Sequence, residues 1–260
     1  MSKSVLVTGA SGHVGGALVR ELVENGYHVR ASVRDPMDAA KTDALKKLQA
    51  EVVKADLFDP ASMDAACTGM DGVFQVAAIY DLAPSDAVQA RIMTETGTLG
   101  MANVLNAAKK AGVGRIVLTS SVVTIAPVAP GQPAASEDSW VSDTSVTYIE
   151  EKSSGEKHAW QLSGELGLDM VSVLPGAVTG PGFNRSTPSV DFIEAFAKGS
   201  LRMGAPDIGF PFVDVRDVAT AHSLAYEKGE IGQRYIAMNQ TVSLYDMGVA
   251  LSRIDPNIAK

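Results

Sequence analysis

The chain predicts an α/β protein built on a doubly wound parallel sheet, with a small C-terminal part that covers a substrate. Three observations carry that prediction. Short apolar runs alternate with helical patterns along most of the chain. The first run, Val5-Leu6-Val7-Thr8, passes through Gly9-Ala10-Ser11-Gly12-His13-Val14-Gly15 straight into a helical pattern. Residues 72–78, Gly-Val-Phe-Gln-Val-Ala-Ala, are nearly all apolar, as expected of a strand covered on both faces.

The glycine spacing at the first strand-to-helix junction suits a pyrophosphate, because the backbone must approach the ligand closely. Gly9 permits a tight turn, Gly12 removes a side chain beside the phosphate oxygens, and Gly15 lets the helix lie close to the sheet. The helix N-terminus then offers unpaired N–H donors and partial positive charge. Such turns also arise for steric reasons alone, and the surrounding βαβ unit is what favours the ligand. Val14, Leu18 and Leu22 follow at helical spacing, Asn25-Gly26 stops the helix, and residues 28–34 form a second strand ending in Val33-Arg34. In a dinucleotide fold that strand end faces the adenosine ribose, where an arginine accommodates the 2′-phosphate of NADP. The permanently charged, forked guanidinium of Arg34 therefore points to NADP, with Lys41 as a second charge. The alternative is a solvated Arg34 paired locally with Asp35.

The remaining elements follow in order. A helix holds Ala39, Ala40, Leu45 and Leu48, residues 51–57 form the third strand, and Asp59-Pro60 is an N-cap with proline at the first helical position. Asp56, at the strand end, either accepts from the adenine amino group or is an ordinary turn aspartate. A helical pattern runs from 86 to 111 and stops at Gly112, and residues 115–121 form the fifth strand, with Ser120 and Ser121 at the crevice edge. Residues 126–140 are too rich in proline, alanine and glycine for a regular element. A helix then begins near Tyr148, residues 169–174 form a sixth strand, and residues 175–181 form a turn. A strand at 210–215 and a helix from 217 to about 227 follow, with no internal repeat.

Composition bounds the function. A chain of 260 residues that is 46% hydrophobic buries a sizeable core, and a net charge of −8 with a pI near 5.0 gives no electrostatic case for nucleic acid or an anionic membrane. Its single cysteine, Cys67, excludes an internal disulfide and reads as packing. No apolar run is long enough to span a bilayer, and no signal-peptide core precedes the first strand, so a cytoplasmic protein is expected. No metal site is expected.

Hydride transfer to a carbonyl requires a proton at the oxygen. On a helix Tyr148 and Lys152 share a face, so the ammonium would pull the phenol from its ordinary pKa of about 10 toward neutrality. Lys152 would also hold the nicotinamide ribose, and Ser121 the substrate oxygen. A packed tyrosine beside a surface lysine is the alternative reading of that pair.

At these residues the chain resembles the extended short-chain dehydrogenase/reductase family, in the branch of dihydroflavonol 4-reductase and cinnamoyl-CoA reductase. The matching pieces are Thr8 to Gly15, Val33 to Pro36, Ala55-Asp56-Leu57, Val76-Ala77-Ala78, Thr119-Ser120-Ser121, Tyr148 with Lys152, and Pro175 through Pro181. The resemblance implies a Rossmann fold in which residues 1–175 bind NADP and residues 176–260 shape the substrate pocket. It implies catalysis by Ser121, Tyr148 and Lys152. Cofactor contacts would come from Gly9, Ser11, Gly12, His13, Val14, Gly15, Arg34, Lys41, Asp56, Leu57, Val76, Ala77, Ala78, Thr119, Pro175, Gly176, Val178 and Ser189, besides Tyr148 and Lys152. The implied activity is NADPH-dependent reduction of an aldehyde or ketone by a monomer or homodimer.

Three departures stand out. Ala126 replaces the asparagine of the plant flavonoid enzymes, and Val146-Thr147-Tyr148 replaces the Asn-Trp-Tyr of the cinnamoyl-CoA enzymes. Relatives also continue several dozen residues past the position of Lys260, so either the pocket is more open here or the sequence is incomplete. Two other functions stay open on the same fold: a sugar-nucleotide epimerase or dehydratase, disfavoured by Arg34, and a protein that senses NADP without chemistry.

Overall fold

The computed structural model describes residues 2–255 except 82, 83, 130, 183–186, 201–203 and 205. Pro130 of the expected loop and the chain end at Lys260 lie outside the described residues.

Seven parallel strands form the main sheet in the order β3-β2-β1-β4-β5-β6-β9. They are β1 (Ser4–Val7), β2 (His28–Val33), β3 (Glu51–Lys54), β4 (Gly72–Gln75), β5 (Arg115–Thr119), β6 (Met170–Pro175) and β9 (Arg234–Ala237). The order reverses at β1, where β2 lies on one side and β4 on the other, and ligands of doubly wound sheets bind at such a switch point. Side chains alternate between two cores. Val5, Val7, Phe74, Val117, Val171 and Val173 face α1 (His13–Glu24) and α8 (Val215–Lys228), whereas Leu6, Val73, Ile116, Leu118 and Met170 face α3 (Pro60–Cys67), α5 (Met101–Ala111) and α6 (Thr147–Leu166). That alternation is the period-two geometry of strands covered on both faces.

Local signals fix the helix ends. Asn25 and Gly26 (φ 81°) terminate α1, the Asp59 carboxylate accepts from the Ala61 and Ser62 N–H groups at the start of α3, and Gly112 (φ 71°) ends α5. Cys67 is buried in α3, as packing requires. α2 (Ala39–Lys47) covers the outer end of the sheet.

Two elements differ from the sequence reading. Residues 175–181 are not a simple turn, because β7 (Ala177–Thr179) pairs with β8 (Gly209–Asp214), which also pairs with β10 (Gln240–Ser243) in a second sheet. Gly176 permits this, since a Cβ there would sit 2.1 Å from the Pro211 carbonyl oxygen. The helical pattern of 86–111 is also not one α-helix. A π segment, Thr96–Gly100, separates α4 (Ala87–Glu95) from α5. It lies where Gly97 meets Gly155 of α6, two glycines whose missing side chains let the backbones touch.

The expected strands at 51–57, 72–78 and 115–121 stop earlier, leaving Asp56, Val76 to Ala78, and Ser120-Ser121 as loop residues at their C-terminal ends. α7 (Pro188–Ala197) and α9 (Leu244–Ile254) complete the C-terminal part, and β9 and α8 return from that part to the main layers. Among the described residues no helix is long and apolar enough to cross a membrane, and no His, Cys, Asp and Glu cluster could hold a metal.

Candidate active site

A cleft of about 620 Å³ opens at the C-terminal ends of β1, β2, β4, β5 and β6, within the range of cofactor and small-molecule sites. Its floor is the glycine turn. Gly9 holds φ at 62°, and a Cβ on it would approach the Ala77 Cα to 2.8 Å. A Cβ on Gly15 would stand 2.2 Å from the Gly9 carbonyl oxygen, so the first turn of α1 rests directly on the end of β1. Gly12 caps α1 without any side-chain hydrogen bond, and Gly12 to Gly15 line the cleft. The helix N-terminus therefore faces the cavity, a donor set that fits a pyrophosphate.

Arg34 lines the same cleft from the end of β2, and among the described residues no ion pair occupies it. Asp35 instead accepts the Met37 N–H at 2.9 Å. Asp56 also lines the cleft while accepting the Phe58 N–H at 2.9 Å, so its carboxylate already organises its own turn. The His13 imidazole is biased toward neutrality by burial, against the opposing influence of the Pro181 and Gly180 backbone and of Asp214. That side chain ties the glycine turn to the loop after β7.

The catalytic candidates converge. Tyr148 enters from the first turn of α6, is 7% exposed, and lines the cleft together with Ser121, which lies just past β5. Lys152, one turn along, is 11% exposed and has its Nζ 5.7 Å from the Tyr148 ring centre. Tyr80 packs against the same ring, with centroids 5.3 Å apart. The expectation that the phenol is acidified fails for the protein by itself. Burial, Tyr80 and Glu151 push the Tyr148 phenol well above its ordinary range, and the nearby Ser121 hydroxyl only partly opposes them.

Ser120 points elsewhere. Its hydroxyl donates to Glu156 Oε2 at 2.6 Å, deep behind the cleft. Glu156, whose side chain is 1% exposed, also accepts from Ser172 (2.8 Å), Trp160 (3.3 Å) and Arg234 (2.9 Å). Arg234 in turn donates to the Glu137 carbonyl at 2.6 Å and stacks on Trp140. One buried pair thus joins β5, β6, β9 and α6 beneath Ser121.

Thr119 is held from below by His222 of α8, whose ring nitrogens lie 2.7 Å from Thr119 Oγ1 and 2.7 Å from the Val218 carbonyl. Burial pushes the His222 pKa from 6.5 down to about 4. Below pH 6.5 the unfolded chain takes up a proton that the folded protein refuses until about pH 4. Stability is therefore full above that window and falls as pH drops through it, by about 3 kcal/mol in all. Urea midpoints at about pH 7.5 and about pH 5 test this. The wild type loses about 2 kcal/mol between them, and His222→Gln flattens the difference; an unchanged difference in the variant contradicts it.

All the expected cofactor and catalytic residues line this one cleft except Lys41 and Ser189. Lys41 is paired with Asp38 at 2.6 Å on the first turn of α2, and the Ser189 hydroxyl lies 3.1 Å from that of Tyr80. Residues the motifs did not indicate complete the walls, among them Tyr80, Ile92, Thr187, Phe210 and Pro211. They come from loops and from the second sheet, which no local pattern connects to the glycine turn.

Residues 5–239 match the NAD dependent epimerase/dehydratase family. Cinnamoyl-CoA reductase 1 of Petunia hybrida is 35% identical, covering 97% of this chain and 77% of its own. A putative dihydroflavonol 4-reductase of Synechocystis sp. is also 35% identical, covering 98% and 73%. The crystal structure of gox2253 superposes with a TM-score of 0.88 at 33% identity, covering all of this chain and 76% of that one. This chain therefore belongs to the NAD dependent epimerase/dehydratase family, in the extended short-chain dehydrogenase/reductase branch that holds the dihydroflavonol 4-reductases and cinnamoyl-CoA reductases.

Proposed function

We propose that the protein is an NADPH-dependent reductase that converts an aldehyde or ketone to an alcohol, with Tyr148 as proton donor. The observation that carries this reading is the buried Tyr148, with Lys152 Nζ 5.7 Å from its ring centre and Ser121 lining the same cleft, which opens on the glycine turn. The α1 N-terminus would hold the pyrophosphate and Arg34 the 2′-phosphate. Residues 1–175 would supply the dinucleotide site, while Gly176, Val178, Thr187 and Phe210 bring the 176–260 part to the substrate. A bound NADPH supplies the hydride. Ser121 orients the carbonyl oxygen by donating a hydrogen bond to it. Tyr148 gives that oxygen its proton as negative charge develops there, and Lys152 stabilises the phenolate left behind. The raised phenol pKa keeps Tyr148 protonated through neutral pH, so reduction persists there and falls only as pH rises through the phenol's pKa. The reading places the enzyme in the cytoplasm as a monomer or homodimer, in keeping with a lone buried thiol.

The test is a panel of aldehydes, ketones and α-dicarbonyls followed by NADPH absorbance, beside NADH. Turnover of at least one carbonyl with NADPH supports the reading. Tight NADPH binding with no turnover across the panel contradicts it and favours a sensor, and a tightly held NAD released on denaturation favours an epimerase. Arg34→Ser is expected to raise the Kd for NADPH roughly tenfold or more and leave that for NADH nearly unchanged, since a charge-assisted hydrogen bond contributes about 1.5–3 kcal/mol. Isothermal titration with both nucleotides checks it.

A further inference from the structure

Behind Lys152 lies a second void of about 30 Å³, walled by Gln75, Thr96, Gly97, Glu151 and Glu156. It has room for about one water. Lys152 lines both this void and the main cleft, whereas Glu151 faces the void alone. The Glu151 side chain is 4% exposed, and its Oε2 lies 3.5 Å from Lys152 Nζ. No conventional hydrogen bond reaches that oxygen among the described residues. Oε1 is packed over the π segment, where a Cβ on Gly97 would come within 2.9 Å of it. A buried carboxylate is costly unless its charge is met, and here the lysine meets it.

We propose that Glu151 is a positioning residue of the catalytic site: its carboxylate holds Lys152 from the side away from the cleft and offsets the ammonium's charge at Tyr148, so that the phenol remains protonated through neutral pH. This rests on the reductase reading above. A lysine alone would stabilise the phenolate, which suits alcohol oxidation as well as carbonyl reduction. With a carboxylate behind it the net charge at the phenol falls toward zero, and the phenol stays protonated to higher pH. The charged and titratable neighbours agree. Tyr148, Lys152 and Glu156 share α6 with Glu151, Glu156 is neutralised by Arg234 of β9, and Tyr80 faces Tyr148 from beyond β4. Thr96 and Gly97 of the π segment, Gln75 of β4, and Thr119 and Ser120 at the end of β5 are uncharged. Burial raises the Glu151 carboxyl from its ordinary value while Lys152 pulls it back, and Glu151 is among the groups that raise the Tyr148 phenol.

The test reads the phenol directly in the apoprotein, by fluorine NMR of fluorotyrosine-labelled full-length chain, with the Tyr148 resonance assigned from Tyr148→Phe. Glu151→Gln is expected to lower the titration midpoint of Tyr148 by about one pH unit. Glu151→Ala, the second charge-free variant, lowers it in the same direction and serves if the glutamine variant does not fold. Glu151→Asp, which keeps the charge, stays near wild type. In the NADPH-loaded protein the alkaline limb of kcat/KM for carbonyl reduction moves down with the midpoint. A midpoint unchanged or raised in a folded charge-free variant overturns the proposal, even if Tyr148→Phe abolishes turnover and the reductase reading stands. Absence of turnover in the wild type sinks that reading instead, while the apoprotein titration still decides whether Glu151 offsets Lys152.

Discussion

Tyr148→Phe is expected to lower kcat for carbonyl reduction by about a hundredfold to ten-thousandfold, the range over which a positioned general acid acts. The substitution removes one oxygen from a side chain that is already 7% exposed and packed against Tyr80, so shape and packing survive. What disappears is the hydroxyl that meets Ser121, and with it the proton source for the substrate oxygen. NADPH affinity is expected to stay within about threefold, because the pyrophosphate and 2′-phosphate contacts assigned to α1 and Arg34 are untouched. Steady-state kinetics beside fluorescence titration with NADPH separate the two quantities. Full turnover in the variant would remove Tyr148 from the mechanism.

The second large effect is on stability. Glu156→Ala is expected to cost about 3–5 kcal/mol, seen as a fall in Tm of about 10 °C, because it strands a buried guanidinium. Arg234 is held by that carboxylate through Nε at 2.9 Å and Nη2 at 3.1 Å. Ser120 and Ser172 lose an acceptor in the same stroke. Replacing both members with methionine should cost less than either single replacement by alanine, since no charge is then left buried alone. Thermal melts of the three variants check the ordering, and a double variant less stable than both singles would contradict it. Because Ser120 adjoins Ser121, Glu156→Ala should also slow turnover in the folded fraction.

The parts of this molecule written in local chemistry were readable from the chain. The Gly9-Gly12-Gly15 spacing after an apolar run dictates a strand, a tight turn and a helix, and Asp59-Pro60 and Gly112 mark helix ends by their own conformational preferences. Tyr148 and Lys152 share a face because of helical period alone. What escaped depends on partners distant in sequence. Ala177-Val178-Thr179 is too short to announce a strand, and it is one only because β8 lies beside it. The π segment hides inside an unbroken helical pattern, and the approach of Gly97 to Gly155 that accompanies it brings together residues far apart in sequence. Lys41 was free, on sequence grounds, to meet a phosphate, and Asp38 three residues before it takes that charge in the structure. Glu151 and Glu156 look like solvated helix residues, and their burial comes from the π segment and from Arg234, nearly eighty residues away. The lowered phenol pKa expected from Lys152 failed for the same reason, because sequence spacing showed the ammonium but not the burial or the carboxylate behind it.

The central claim is that the phenol and the nucleotide occupy one cleft that starts at the glycine turn. A crystal structure of the complex with NADP tests it most directly. The account predicts the 2′-phosphate at Arg34, the pyrophosphate over Gly12 to Gly15, and the nicotinamide ribose within hydrogen-bonding reach of Lys152 and Tyr148. A nicotinamide turned away from Tyr148, or a nucleotide bound outside this cleft, would contradict it.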